Sequence, residues 1–236
     1  LPTAGKVFVA NESLSLPDIS KALEGHRIEE EYTEGDLKLT LLTEVANLTL
    51  TEDTLTGLYS FDYVAHHYHR GKVSPSPVTK EVLFAWTIHE DRDYLTVVDK
   101  KALANSVANR LSEIVWGEIG VVVEARILPE TLKKFHLENP ESTKVIFFEN
   151  MDIPNLNKMS LYGPDVVDTG LFKEYTQRGD PWYILTKSKR FGHTVGLVRD
   201  GSVTIFNTVD QGQYLAYVGG EIVPMTQPPR PRSEEP

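Results

Sequence analysis

The chain reads as an α+β fold: an antiparallel or mixed sheet packed on one amphipathic helix over residues 100–116, followed by a C-terminal β-meander lobe. Three observations predict it. Leu103, Val107, Leu111 and Ile114 recur at helical spacing, with Ala104 and Ala108 beside them and polar residues elsewhere. Residues 37–98 alternate apolar and polar side chains over several turn-punctuated runs, the period of strands. Residues 182–207 repeat that pattern in shorter form. The helix with its flanking runs, residues 94–98 and 121–127, makes a strand-helix-strand frame. Asp99 stands where an N-cap belongs and Gly117 where the helix stops.

Taken in order, residues 7–10 form a short apolar strand, and Leu16-Pro17-Asp18 opens a helix through Leu23 that Gly25 closes. Glu29-Glu30-Glu31, with Glu34 and Asp36, forms a solvated acidic hairpin, because consecutive carboxylates on a strand point to opposite faces and converge on no cation. Leu37, Leu39 and Leu41, then Tyr59, Phe61 and Tyr63, mark strands, and Glu52-Asp53 a turn between them. Residues 73–78, VSPSPV, read as a loop, since proline cannot donate to a ladder. Residues 82–88, apolar on both faces, read as a central strand. Pro129 starts a further helix through Leu137, and residues 143–148 form a buried strand, so residues 94–148 also allow a small parallel unit inside a mixed sheet.

Residues 147–163, FFENMDIPNLNKMSLYG, hold turn-forming tetrads and read as a structured loop. In the last part, residues 182–186, 193–199 and 202–207 are strands, Asp200-Gly201 a two-residue hairpin turn, and residues 210–218 a closing helix packed through Tyr214, Leu215 and Val218. The expected division is a main domain over 1–164, a small meander lobe over 165–225 and a Pro-rich, disordered tail over 226–236.

Charge narrows the partners. The chain carries 24 Lys+Arg against 34 Asp+Glu, a net of −10. Nine of those ten negative charges fall in residues 1–125, with 11 basic and 20 acidic residues, against 13 and 14 in residues 126–236. Such a surface repels phosphates and favours a basic protein partner, through which nucleic acid would be reached. With no Cys, disulfides and thiolate metal sites are excluded. No apolar run reaches the roughly 20 residues of a membrane span, and the first residues lack a signal-peptide pattern, so a cytoplasmic chain without a membrane role is expected.

Three stretches bear chemistry. His67 and His69 project to one strand face about 7 Å apart, from which two imidazoles hold zinc if His89 or Asp62 supplies a third ligand; a solvated strand end is the plainer reading. Glu149, Asp152, Asp165 and Asp168 suggest a divalent-ion nuclease, as does Glu124-Ala125-Arg126, but Arg stands where such sites use Lys, and strand-end and cap roles explain these acids. Lys187, Lys189 and Arg190, at a hairpin tip beside Phe191, together with Arg199, lie in a segment of net +3 over residues 170–200. Such residues can grip a phosphate backbone, with Phe191 stacking on a base; a solvated turn whose lysines keep the hairpin tip from pairing with a neighbour is the plainer reading. No acid, base and nucleophile assemble from residues with a reason to be near one another, so neither catalytic residues nor a cofactor or metal are assigned.

Residues 147–163, with Lys101-Ala102-Leu103-Ala104-Asn105 and Trp182-Tyr183-Ile184, resemble a family of archaeal and bacterial proteins to which no activity is attached. In architecture alone the chain is similar to the detached N-terminal lobe, an N domain with its two linkers, that some truncated prokaryotic Argonautes recruit as a separate subunit. That likeness implies a non-catalytic accessory subunit of a prokaryotic nucleic-acid-handling, defence-type complex, forming a heterodimer and helping position a guide-target duplex. The alternative is a stand-alone metal-dependent hydrolase or nuclease using the His67/His69 strand or the acids between Glu149 and Asp168.

Overall fold

The structure, a computed structural model, describes residues 1–139, 144–164, 166 and 169–227. Chain order is β1 (Thr3–Ala10), α1 (Leu16–Leu23), β2 (Arg27–Glu34), β3 (Leu37–Leu50), β4 (Thr54–His69), β5 (Lys72–His89), β6 (Arg92–Val98), α2 (Lys101–Trp116) and β7 (Val122–Glu124). There follow α3 (Pro129–Glu138), β8 (Val145–Glu149), β9 (Met159–Tyr162), α4 (Gly170–Arg178), β10 (Asp180–Lys187), β11 (Thr194–Val198), β12 (Ser202–Ile205) and α5 (Gln211–Tyr217). A π turn and a 3-10 turn extend α5 to Met225. The strands form one sheet in the order β2-β3-β4-β5-β6-β1-β12-β11-β10-β8-β9, with β7 beside β1. The expected α+β class and meander are present. Among the described residues no helix is long and apolar enough to cross a membrane. The Pro-rich segment from residue 228 lies outside the described residues.

β1 is where the two halves meet. Its side chains alternate, so Val7 and Val9 enter the core formed with α3, α4 and α5, whereas Phe8 and Ala10 enter the core beneath α1 and α2. Along one edge it pairs with β6; along the other it pairs with β12 through Lys6 and then with β7 from Phe8. β6 and β7 therefore run parallel with β1 between them. Every ladder between named strands is antiparallel, which is how the strand-helix-strand frame fits the meander.

At this fork the Gly201 carbonyl oxygen accepts the Val7 N–H at 3.0 Å, and Gly201 has φ +79°. A Cβ there would stand 2.8 Å from the Val7 carbonyl oxygen and 2.9 Å from that of Ala125, so glycine is required twice over. The hairpin is a three-residue loop, not the expected two-residue turn: β11 ends at Val198, the Gly201 N–H bonds the Val198 carbonyl at 3.1 Å, and Gly201 supplies the left-handed residue. Lys6, wholly buried, pairs there with Glu124 and with Asp200 at 3.5 Å; Asp200 also takes Lys101 at 2.6 Å. Burial pushes the Asp200 carboxyl up, but hydrogen bonds from Lys101 and Ser202 and the Lys6 charge bring it below its ordinary range.

Two further expectations are corrected. Asp99 does not cap α2: Lys100 holds the N-cap position without a side-chain bond, and Asp99 pairs with Lys80 at 2.6 Å. Gly117 does close it, in the left-handed conformation at φ 78°. Residues 73–78 are strand, not loop. β5 pairs with β4 along its whole length, Pro75 opposite His66 and Pro77 opposite Val64, while β6 reaches only Leu83 to His89. Both prolines thus sit on a strand edge with no second neighbour among the described residues, where a missing N–H breaks no ladder bond.

The result is a pair of long two-stranded arms. The β3–β4 ladder stops at Thr43 opposite Phe61, where the Asp62 carboxylate accepts the Leu42 N–H at 2.9 Å in place of a strand partner. Beyond that point neither residues 27–44 nor residues 62–79 contain one buried side chain. His66 and Glu34, 2.9 Å apart, join the two arms. The opposite extreme is His136 on α3, fully buried against Phe172, with neither ring nitrogen hydrogen-bonded among the described residues. Burial drives its pKa down to about 4.

Candidate nucleic-acid interface

The helices α3, α4 and α5 cover one face of β8, β10, β11 and β12, taking in Ile146, Phe148, Ile184, Val195, Leu197, Val203 and Ile205. The alternating residues look outward, so the strand at residues 143–148, expected to be buried, is covered on one face only. Phe147 stands at the centre of that outer face. A bulge between Pro181 and Tyr183 lets two consecutive residues of β10 reach it, Trp182 at 5.3 Å and Tyr183 at 5.2 Å between ring centroids. Tyr162 on β9 meets it edge-on at 5.9 Å and is 69% exposed. β11 contributes Gly196, over which Tyr183 and the half-exposed Phe206 lie; a Cβ there would be 2.8 Å from the Tyr183 hydroxyl.

Charged groups flank these rings. The Lys158 ammonium lies 5.6 Å from the Trp182 ring, beside a shallow cavity of about 200 Å³ between Phe147, Met159 and Ser160. Lys187, two residues beyond Leu185 and four beyond Tyr183 on β10, shares their face and is exposed. Neither lysine forms an ion pair among the described residues. Burial, and then the neighbouring Tyr162, raise the Tyr183 hydroxyl's pKa, so it stays a hydrogen-bond donor at neutral pH.

The other basic residues are dispersed. Lys189 is exposed, its N–H donating to Asn139 at 2.8 Å. Arg190 donates to the Gly220 carbonyl at 2.7 Å and lies 5.2 Å from the Phe191 ring. Phe191 packs edge-on against the buried Tyr217 at 5.3 Å, so this ring belongs to the core and is not presented to a base. Arg199 lies at the other end of β11, about 17 Å from the tip, paired with Glu149 at 2.7 Å.

The supposed metal ligands do not converge. His67 and His69 are exposed at the tip of the β4/β5 arm. His89 ends the other extremity of that hairpin, on the order of 50 Å of strand away, and Asp62 bonds Leu42 and Thr79. Glu149 is held by Arg199, Glu124 by Lys6, and Asp152 is exposed. Asp165 and Asp168 lie outside the described residues. Among the described residues no three His, Asp or Glu side chains form a group able to hold a metal ion.

Each ring of the outer face looks like a core residue when read in sequence. The signal that could have separated them is Ser160 and Tyr162 alternating with Met159 and Leu161, a half-covered edge strand. No protein-family model matches the chain, and no curated protein matches it in sequence.

Proposed function

We propose that this chain is a non-catalytic accessory subunit of a prokaryotic nucleic-acid-handling complex, and that the outer face of β8, β9 and β10 receives unpaired bases. The observation that carries this reading is the set of rings from three neighbouring strands, the half-buried Phe147, Trp182 and Tyr183 with the exposed Tyr162, gathered on the outer face between Lys158 and Lys187. Aromatic rings on an open sheet stack on any base, each contact contributing roughly 1–3 kcal/mol, and ammonium groups at the margin meet the phosphates.

With a net charge of −10 the isolated chain binds weakly, and a larger, basic subunit supplies the remaining affinity. The arms support this, since ordering two ribbons that bury no side chain gains little until a partner covers them. The most specific form of the proposal is the separate N-terminal lobe of a truncated Argonaute, and it rests on architectural likeness alone.

The test is Trp182 fluorescence during titration with 12-nucleotide oligo-dT and oligo-U at low salt, with Trp182→Phe identifying the signal. Saturable quenching is expected, weakened about 5- to 100-fold by Tyr162→Ala and unchanged by Lys189→Ala. Absence of quenching at millimolar oligonucleotide, or quenching indifferent to Tyr162, would overturn the reading.

A further inference from the structure

The helical layer over the first half of the sheet is incomplete. α1 ends at Leu23 and α2 lies beside it, and past His26 a groove of about 520 Å³ remains between α2 and β2, β3 and β4. Its sheet side carries Ile28, Tyr59 and Phe61; its helix side carries Leu103, Val107 and Ile114. The three α2 residues span three turns, about 16 Å, on a helix face they share with Ser106 and Arg110. Ile28 is 46% exposed at the groove mouth.

The rim is acidic. Glu30, Asp62 and Glu113 border the groove against Arg110, which is already paired with Glu113 at 3.0 Å. Burial pushes the pKa of His26 down, so its imidazole adds no positive charge at neutral pH. A groove lined by apolar and polar residues in similar measure, with a net negative border, disfavours an acidic occupant and suits a segment with apolar residues on one side and Lys or Arg on the other. A helix laid there beside α2 would continue the layer that α1 and α2 begin.

We infer that the groove between α2 and the base of the arms docks a cationic amphipathic helix of the partner subunit. The inference rests on the accessory-subunit reading and deepens it by locating the protein interface on the opposite half of the sheet from the aromatic rings. The arms, rising from β2–β5 at the groove's edge, flank the docked helix.

The experiment uses the full chain and a 14-residue Leu/Lys amphipathic peptide as probe, with a Leu/Glu peptide of the same pattern as its control, followed by calorimetry. Micromolar binding of the Leu/Lys peptide alone is expected, weakened at least tenfold by Ile28→Asp and by Glu30→Lys. Glu52→Lys, in the turn between β3 and β4 away from the groove, should leave it unchanged. Binding equally affected by Glu52→Lys and Glu30→Lys, or no binding of the Leu/Lys peptide, overturns the inference. Circular dichroism of each variant confirms that it is folded. Oligonucleotide quenching of Trp182 reports on the other half of the sheet, so loss of either result leaves the other interpretable.

Discussion

The arms and the β1 fork use the same strand geometry under opposite constraints. In the arms, residues 27–44 and 62–79 keep their ladders without one buried side chain, and their tips turn through Gly35 and Gly71 in open space. At the fork, three strands and a loop crowd onto β1, a lysine is wholly buried, and a glycine is hemmed in by two carbonyl oxygens. The contrast shows where the chain can change. Side chains on the arms are free to suit a partner, whereas those at the fork are determined by the fold.

The sharpest way to break this comparison is one substitution made in both regions. Gly201→Ala introduces a left-handed alanine against the Val7 and Ala125 carbonyls and is expected to cost more than about 4 kcal/mol. Gly35→Ala has the same sign of φ, +60°, with nothing within 4 Å of the added methyl, and should cost about 1 kcal/mol. Urea unfolding of the two variants decides the matter, and equal losses would mean that the fork is no tighter than the arm.

His136 sharpens the covered side. Above pH 6.5 its imidazole is neutral folded or unfolded, and stability does not depend on it. As pH falls from 6.5 towards 4 the unfolded chain takes up the proton and the folded chain does not, so stability declines by up to about 3 kcal/mol. His136→Leu should flatten that part of the urea-midpoint profile against pH; an unchanged slope would place the ring in contact with solvent. The smallest effect belongs to the arm tip. Tyr68→Ser, at a residue 75% exposed, should alter stability by less than about 0.5 kcal/mol, and a larger loss would reveal packing there.

Much of this was legible from periodicity. Leu103, Val107 and Leu111 announced α2, and the C-terminal meander followed from its turns, because helical and strand spacing survive in any context. The arms were missed because Pro75 and Pro77 forbid a ladder bond only on the side they face, and sequence does not reveal which edge is empty. The Asp99 cap failed when Lys80, on a neighbouring strand, claimed the carboxylate. The aromatic face was hidden for a related reason: Phe147 and Phe148 are the same residue type on opposite faces of the sheet, one half-buried and one fully buried, and only the placement of α3, α4 and α5 tells them apart. Lys187 was singled out from charge alone, but the rings beside it come from residues 147, 162 and 182, whose convergence is a matter of topology.

The position of β1 also governs the order in which the molecule can assemble. Its first neighbour, β6, arrives some 90 residues later; its other edge is filled in two parts, from Phe8 by β7 and from Thr3 to Lys6 by β12, the latter only with Ser202 to Ile205. Until then the Thr3–Lys6 part of that edge waits unpaired, and pairings so distant in the chain close slowly. Lys6, a single charge in the run Lys6-Val7-Phe8-Val9, makes that waiting edge a poor template for other chains, and of its two counter-charges, Glu124 comes with β7 and Asp200 only as the last strands dock. The ammonium group that ends up sealed inside the finished fold thus guards the nascent one.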